Sequence, residues 1–293
     1  MSLFIDAFIT STLLAAFFSI AALGLNVVFG VMRIVNLAHG EFIVMGSYLA
    51  IALALHYNFN PVLSLAVIVP FFFVVGLLLY FPIVPRLQKS DDPEMGSFIL
   101  FFGVSFALEG IAVQMFGVNY QSLSYSVFRP LHVSTLGTTI PTAWVVTALV
   151  SVAAIVLVYL YMYRTGLGLQ TRALMINREE AMANGVSVNR VSAIAFGISI
   201  ALAASAGAFS SFISYPTTPS IGDTFTLISF AIIIIGALGN PFATVVGAIV
   251  FAFAYGYTDI YEPNWSALVP FVILIAVVLA RPQGLLGRKA REF

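Results

Sequence analysis

The chain has no cysteine, two lysines, two tryptophans and only 8% charged residues in a length of 293. Each scarcity excludes something. Without cysteine there is no disulfide framework, no thiolate nucleophile and no thiolate metal site. Twelve basic residues balance twelve acidic ones, so no basic patch exists to release counterions, and nucleic acid is not an expected partner. Lys89 follows Gln88 and Lys289 precedes Ala290, so neither lysine completes the glycine-lysine-hydroxyl end of a phosphate-binding loop. Energy for any work must come from a partner or a gradient. An intramembrane hydrolase is disfavoured, because no His-Glu-x-x-His occurs and Ser205 lacks the full Gly-x-Ser-x-Gly context. Serines on apolar helices usually bond neighbouring helices.

What is present is apolar: 61% of residues are hydrophobic and the mean hydropathy is +1.05. That leaves too little polar surface to cover a soluble globule. A helix crossing hydrocarbon about 30 Å thick needs roughly 20 mostly apolar residues. Apolar segments of about that length run over 5–29, 37–56, 61–83, 96–116, 141–163, 191–213, 224–238, 241–258 and 264–280. They do not alternate as barrel strands do, so the expected fold is all-α, a polytopic transmembrane bundle of about eight or nine spans in one domain, 1–293. The first basic residue is Arg33, so the amino-terminal segment is expected to be a retained span rather than a cleaved leader.

Ten of the twelve basic residues fall in three places: Arg86 and Lys89; Arg164, Arg172, Arg178 and Arg190; and the tail with Arg281, Arg288, Lys289 and Arg291. Such loops face the cytoplasm. Two segments separate the first group from the second, and four separate the second from the tail. Both counts are even, as one-sided loops require, provided that 224–238 and 241–258 are separate passes joined at Gly239-Asn240-Pro241. The amino terminus is then outside and the carboxyl terminus cytoplasmic, with Arg129 the one basic residue of an outer loop, 117–139. His56 and His132 also fall in outer loops.

Glycines interrupt both halves: Gly24, Gly30, Gly40 and Gly46 in one, Gly236, Gly239 and Gly247 around Asn240-Pro241 in the other. Paired broken segments are what transporters use to expose helix ends at the bilayer midplane, whereas the spacing of Ala203, Gly207 and Ser211 suits close helix packing. The densest polar cluster is Arg33-Ile-Val-Asn36-Leu-Ala-His39-Gly40-Glu41. An Arg, Lys or Asp at a helix centre costs about 2.5–3.5 kcal/mol on insertion scales, so such residues face protein or water. Asn36, His39, Gly40 and Glu41, with Asn240 as counterpart, are the candidate translocation residues. The structural alternative is that Asn36 caps the helix while His39 and Glu41 brace a broken turn. Glu109, with Gln114 nearby, reads as an interhelical contact, since no other acid or histidine of its own segment joins it.

In the cytoplasmic loop 164–190, Asn177 and Glu180 form a capping-box-like start and Gly185 a left-handed stop, which predicts a helix over 178–184. Two turns are not stable alone. A short helix presenting Ala181, Met182 and Ala183 between charged flanks asks for a surface to dock on.

Gly24-Leu-Asn-Val-Val-Phe-Gly-Val-Met-Arg-Ile-Val-Asn-Leu-Ala-His-Gly-Glu-Phe42 resembles the signature of the branched-chain amino-acid ABC transporter permeases of the LivH type. Ile235-Gly-Ala-Leu-Gly-Asn-Pro241 and Arg281-Pro-Gln-Gly-Leu-Leu-Gly287 are similar to that family as well, so the resemblance covers nearly the whole chain. The stretch from Glu180 to Gly185 is similar to the wider importer signature, with Met182 where a second alanine is usual and a shorter gap to glycine. The resemblance implies import of leucine, isoleucine, valine or a related solute, with a sister permease, two ATPase subunits that bind ATP and an extracytoplasmic binding protein. No cofactor is implied on this chain. Arg178, Glu179, Glu180, Ala181, Met182, Ala183 and Gly185 would form the coupling helix seated in an ATPase groove. Related permeases for urea, amides or other amino acids, and a channel or gradient-driven carrier acting alone, are the other readings compatible with the residues.

Overall fold

A computed structural model describes residues 2–123, 128, 132–135, 138–213 and 216–287. Arg129 and the tail residues Arg288, Lys289 and Arg291 lie outside the described residues. The chain is an all-α membrane bundle. Its helices are α1 (Ser2–Met32), α2 (His39–Tyr57), α3 (Pro61–Leu87), α4 (Pro93–Phe116), α5 (Thr142–Arg164), α6 (Gly166–Ile176), α7 (Arg178–Ala183), α8 (Val188–Ser210), α9 (Ile221–Gly236), α10 (Pro241–Tyr261) and α11 (Val269–Ala280). A small hairpin, β1 (His132–Thr135) and β2 (Thr138–Pro141), precedes α5.

Among the described residues seven helices are long and apolar enough to cross a membrane: α1 to α5, α8 and α10. All nine expected segments are helical, but two are short. At 1.5 Å per residue, the 16 residues of α9 reach about 24 Å and the 12 of α11 about 18 Å, less than a hydrocarbon core of about 30 Å. Helix starts follow a simple rule. Asn60-Pro61, Asp92-Pro93 and Asn240-Pro241 each place an acceptor side chain at the cap and a proline, which has no N–H to satisfy, at the first helical position.

α8 and α1 are buried along most of their length, while α3, α4 and α5 leave broad apolar faces exposed. Small residues let the core helices touch backbone to backbone. A Cβ on Gly207 would collide with the Ile43 carbonyl, one on Gly46 with Ala204, and one on Gly76 would come 2.8 Å from Cα of Gly197. Gly30 and Gly239 meet in the same way. One end of the bundle gathers the turn after α3, the α6–α7 arm and the C-terminal end of α1, which together line a polar cavity of about 780 Å³. The loop expected over 164–190 contains a helix not foreseen, α6. Thr165 caps it, and Arg172 folds back to donate from Nε to the Met162 carbonyl at 2.9 Å while lying over the Tyr163 ring.

Because Gly207 lies at a backbone contact and a Cβ on Gly103 meets nothing within 4 Å, alanine should act oppositely at the two. Gly207→Ala is expected to cost about 1–3 kcal/mol through overpacking. Gly103→Ala is expected to be neutral or to stabilise by up to about 1 kcal/mol, the glycine-to-alanine helix difference. Thermal unfolding of the purified chain in detergent checks both.

Candidate functional site: a junction of two broken helices

α1 ends where Arg33 adopts a left-handed backbone, φ 52°, and its amide still reaches the Phe29 carbonyl at 2.8 Å. From there residues 33–38 turn back along α1 without regular structure. The reversal is long: His39, at the start of α2, donates from Nε2 to the Ala21 carbonyl at 2.7 Å, so α2 starts beside the middle of α1. At 1.5 Å per residue the eleven steps from Ala21 to Met32 amount to about 16 Å. α2 therefore begins inside the bundle rather than at its end. So does the shorter α9. Its first turn lies against the first turn of α2, where a Cβ on Gly40 would strike the Gly222 carbonyl oxygen.

Unpaired backbone groups at such a break would cost several kcal/mol in a membrane. Side chains from other elements meet them. Thr226 Oγ1 on α9 accepts from the Gly40 amide at 2.9 Å and donates to the Leu37 carbonyl at 3.1 Å. Ser97 Oγ on α4 accepts from the Val35 amide at 3.1 Å. Asn36 Oδ1 accepts from the Ala38 amide at 3.1 Å. The second break, between α9 and α10, is held by Asn26 of α1. Its Nδ2 donates to the carbonyls of Ala237 at 3.1 Å and Asn240 at 3.0 Å and to Thr244 Oγ1 at 2.6 Å, while Oδ1 accepts from the Gly239 amide at 2.5 Å.

These contacts sort the candidate residues. Asn36 and His39 are fully buried and bonded to backbone. Asn240 caps α10, with Oδ1 accepting from Phe242 and Ala243, and lines a different cavity of about 540 Å³ between α1, α5, α6 and its own turn. Arg33 is exposed and leaves the cluster for the polar cavity at the bundle end. Glu41 stays. It is 2% exposed, Oε1 accepts from Ser105 Oγ of α4 at a long 3.4 Å, and Oε2 has no partner among the described residues. Its carboxylate packs on Gly222, where a Cβ would overlap it. Glu109, isolated along its own helix, and Asp223, in the first turn of α9, are the charged neighbours of Glu41. Among the described residues no group of three His, Asp or Glu is placed to hold a metal.

α7 matches the helix expected from its cap and stop. Asn177 Oδ1 accepts from the amides of Glu179 at 3.0 Å and Glu180 at 3.3 Å, and Gly185 has φ 81°. Ala181 is buried and Arg178 donates to Gln88 Oε1 at 2.7 Å, which anchors the helix to the turn after α3. Glu179, Glu180, Met182 and Ala183 point outward.

Sequence reasoning missed Asn26, Ser105, Gly222, Asp223 and Thr226. Asn26 carried a usable signal, as a lone carboxamide in a long apolar helix. Asn26→Ala would strand one amide and two carbonyls in the interior, and at about 1–3 kcal/mol per unsatisfied group it is expected to lower stability by about 3 kcal/mol or more. Chemical or thermal unfolding in detergent measures that loss.

Comparison with known proteins agrees with this architecture. Residues 7–278 match the family described as branched-chain amino acid transport system, permease component. The probable branched-chain amino acid transport permease protein LivH of Methanocaldococcus jannaschii is 26% identical over 91% of this chain and 87% of its own. The high-affinity branched-chain amino acid transport system permease proteins LivH of Escherichia coli K12 and BraD of Pseudomonas aeruginosa are each 24% identical, over 99% and 94% of this chain and 97% and 93% of theirs. No solved structure matches. With the family profile spanning nearly all of the bundle, including both breaks, the chain belongs to the branched-chain amino acid transport permease family.

Proposed function

We propose that the chain is the permease subunit of an ATP-driven importer of leucine, isoleucine, valine or a related amino acid in a bacterial inner membrane. It would work with a sister permease, two cytoplasmic ATPase subunits and an external binding protein. The observation that carries this reading is the junction of α2 and α9: two helices start against each other inside a membrane bundle, with the acid Glu41 buried between them. Discontinuous helices with facing ends form the midplane sites of transporters. Glu41 and Gly40 belong to the pathway. Asn36, His39 and Asn240 support it by holding the breaks.

An exposed acid in the first turn of α9 indicates which face the pathway follows. Asp223 cannot face hydrocarbon without a heavy cost, so that face lines a water-filled path between this chain and the sister permease. The bundle end that gathers Arg33, Arg178 and the α6–α7 arm is the cytoplasmic end, by the excess of positive charge there.

α7 supplies the coupling. Its outward residues Glu179, Glu180, Met182 and Ala183 dock on an ATPase, and Arg178 passes movement to Gln88 and the turn that leads into α4. α4 holds the broken segment at three heights: Ser97 on Val35, Ser105 on Glu41, and Phe116 stacked on Tyr48 with ring centroids 4.2 Å apart. A shift of α7 thus reaches Glu41 through one rigid helix, and alternating access follows from the pull on the junction.

Two measurements test this. Radiolabelled leucine uptake into proteoliposomes is expected only when permeases, ATPases and binding protein are all present; uptake by this chain alone would overturn the proposal in favour of a gradient-driven carrier or channel. Gln88→Leu removes a charge-assisted hydrogen bond worth about 1.5–3 kcal/mol, so uptake is expected to fall roughly tenfold while the ATPases still co-purify. Uptake unchanged in that variant would remove the Arg178–Gln88 link from the coupling route.

A further inference from the structure

The junction has satisfied nearly all of its backbone groups from within the protein, yet it leaves its strongest acceptor open. Among the described residues Glu41 Oε2 has no partner, and the bond to Oε1 from Ser105 is long at 3.4 Å. A carboxyl 2% exposed keeps a charge only beside a cation and otherwise takes up a proton, and among the described residues no lysine or arginine acts on Glu41. The charged groups that do act on it, Asp223 and Glu109, are both acids. Asp223 is exposed and Glu109 half-buried, so acidity extends from the surface of the chain down to the buried carboxylate. Gly222 makes the approach possible, because any side chain there would occupy the carboxylate's place.

Three neighbouring acids ionise together only with a cation among them. Among the described residues the group is not arranged as a metal site. A hard divalent ion needs six or more converging oxygens, whereas a primary ammonium has three donors that separate acceptors can meet. We propose that Glu41, flanked by Asp223 and Glu109 and with Ser105 Oγ as a neutral acceptor, receives the primary ammonium group of the transported solute. This deepens the importer reading and rests on it. The site selects solutes that carry an ammonium on an apolar body and repels those that carry only a carboxylate. Glu41 is the selecting residue because it is the buried one, and Asp223 gathers the cation at the entrance.

The probes are isopentylamine, which has the apolar body and the ammonium of leucine, and 4-methylpentanoate, which has the body and the carboxylate. Thermal unfolding of the purified assembly of permeases and ATPases, without binding protein, is followed as each is titrated. Isopentylamine is expected to raise the transition temperature and 4-methylpentanoate to leave it unchanged. Glu41→Gln is expected to weaken the amine's apparent affinity roughly tenfold or more, as loss of a charged acceptor should. No shift with the amine, an equal shift with the acid, or an affinity unchanged in Glu41→Gln would each overturn the proposal. Should the glutamine variant fail to assemble, Asp223→Asn, altered at an exposed position, takes its place with a several-fold loss expected and an unchanged affinity contradicting it. The importer reading stands or falls separately: an assembly that imports leucine with ATP but fails these titrations keeps that reading and loses the ammonium site.

Discussion

A backbone amide inside hydrocarbon has no water to bond, and each one left unpaired costs several kcal/mol. This chain breaks its helices twice within the bundle, so each break needs a side chain from another element to complete it. Thr226 and Ser97 serve the break before α2, and Asn26 serves the break before α10 with both ends of its amide. The positions of α2, α9 and α10 follow from those bonds. So does the junction, because the bonds that satisfy the α2 start draw it against α9.

Close packing supplies the rigidity against which the junction works. Gly46 and Gly207 allow α2 and α8 to approach at van der Waals limits, and lipid offers no hydrophobic drive that could replace such contact. α4 differs. Most of its apolar surface is free, and it is tied to the broken segment by the Ser97 bond and to α2 by the Ser105 bond and one ring stack. A helix attached in this way follows its anchor points, which makes it suited to carry movement from the cytoplasmic arm to Glu41.

Much of this was legible in the sequence because it depends on local rules. Apolar runs of spanning length gave the helices, and Asn177 with Gly185 bounded α7 at nearly the residues observed. Glycine-rich stretches marked both breaks. The missing parts depend on distant pairs. Glu41 meets Gly222 and Asp223 across more than 180 residues, and nothing in the spacing around either half foretells that contact. Asn36 and Asn240 look like pathway residues by polarity alone, yet the carboxamide oxygen of each accepts from its own turn. α6 escaped notice because Gly166 and Gly168 read as loop residues, while its cap at Thr165 and the fold-back of Arg172 depend on α5.

The central claim is that solute crosses where α2 and α9 meet. The absence of native cysteine makes a single introduced thiol free of background. Asp223→Cys, in the assembled importer, should react with a membrane-impermeant maleimide in at least one nucleotide state and be shielded when leucine is being carried, since a thiol reacts as its thiolate and needs water to form one. A cysteine there that stays unreactive in every state would show a face sealed in lipid or protein and would contradict the account.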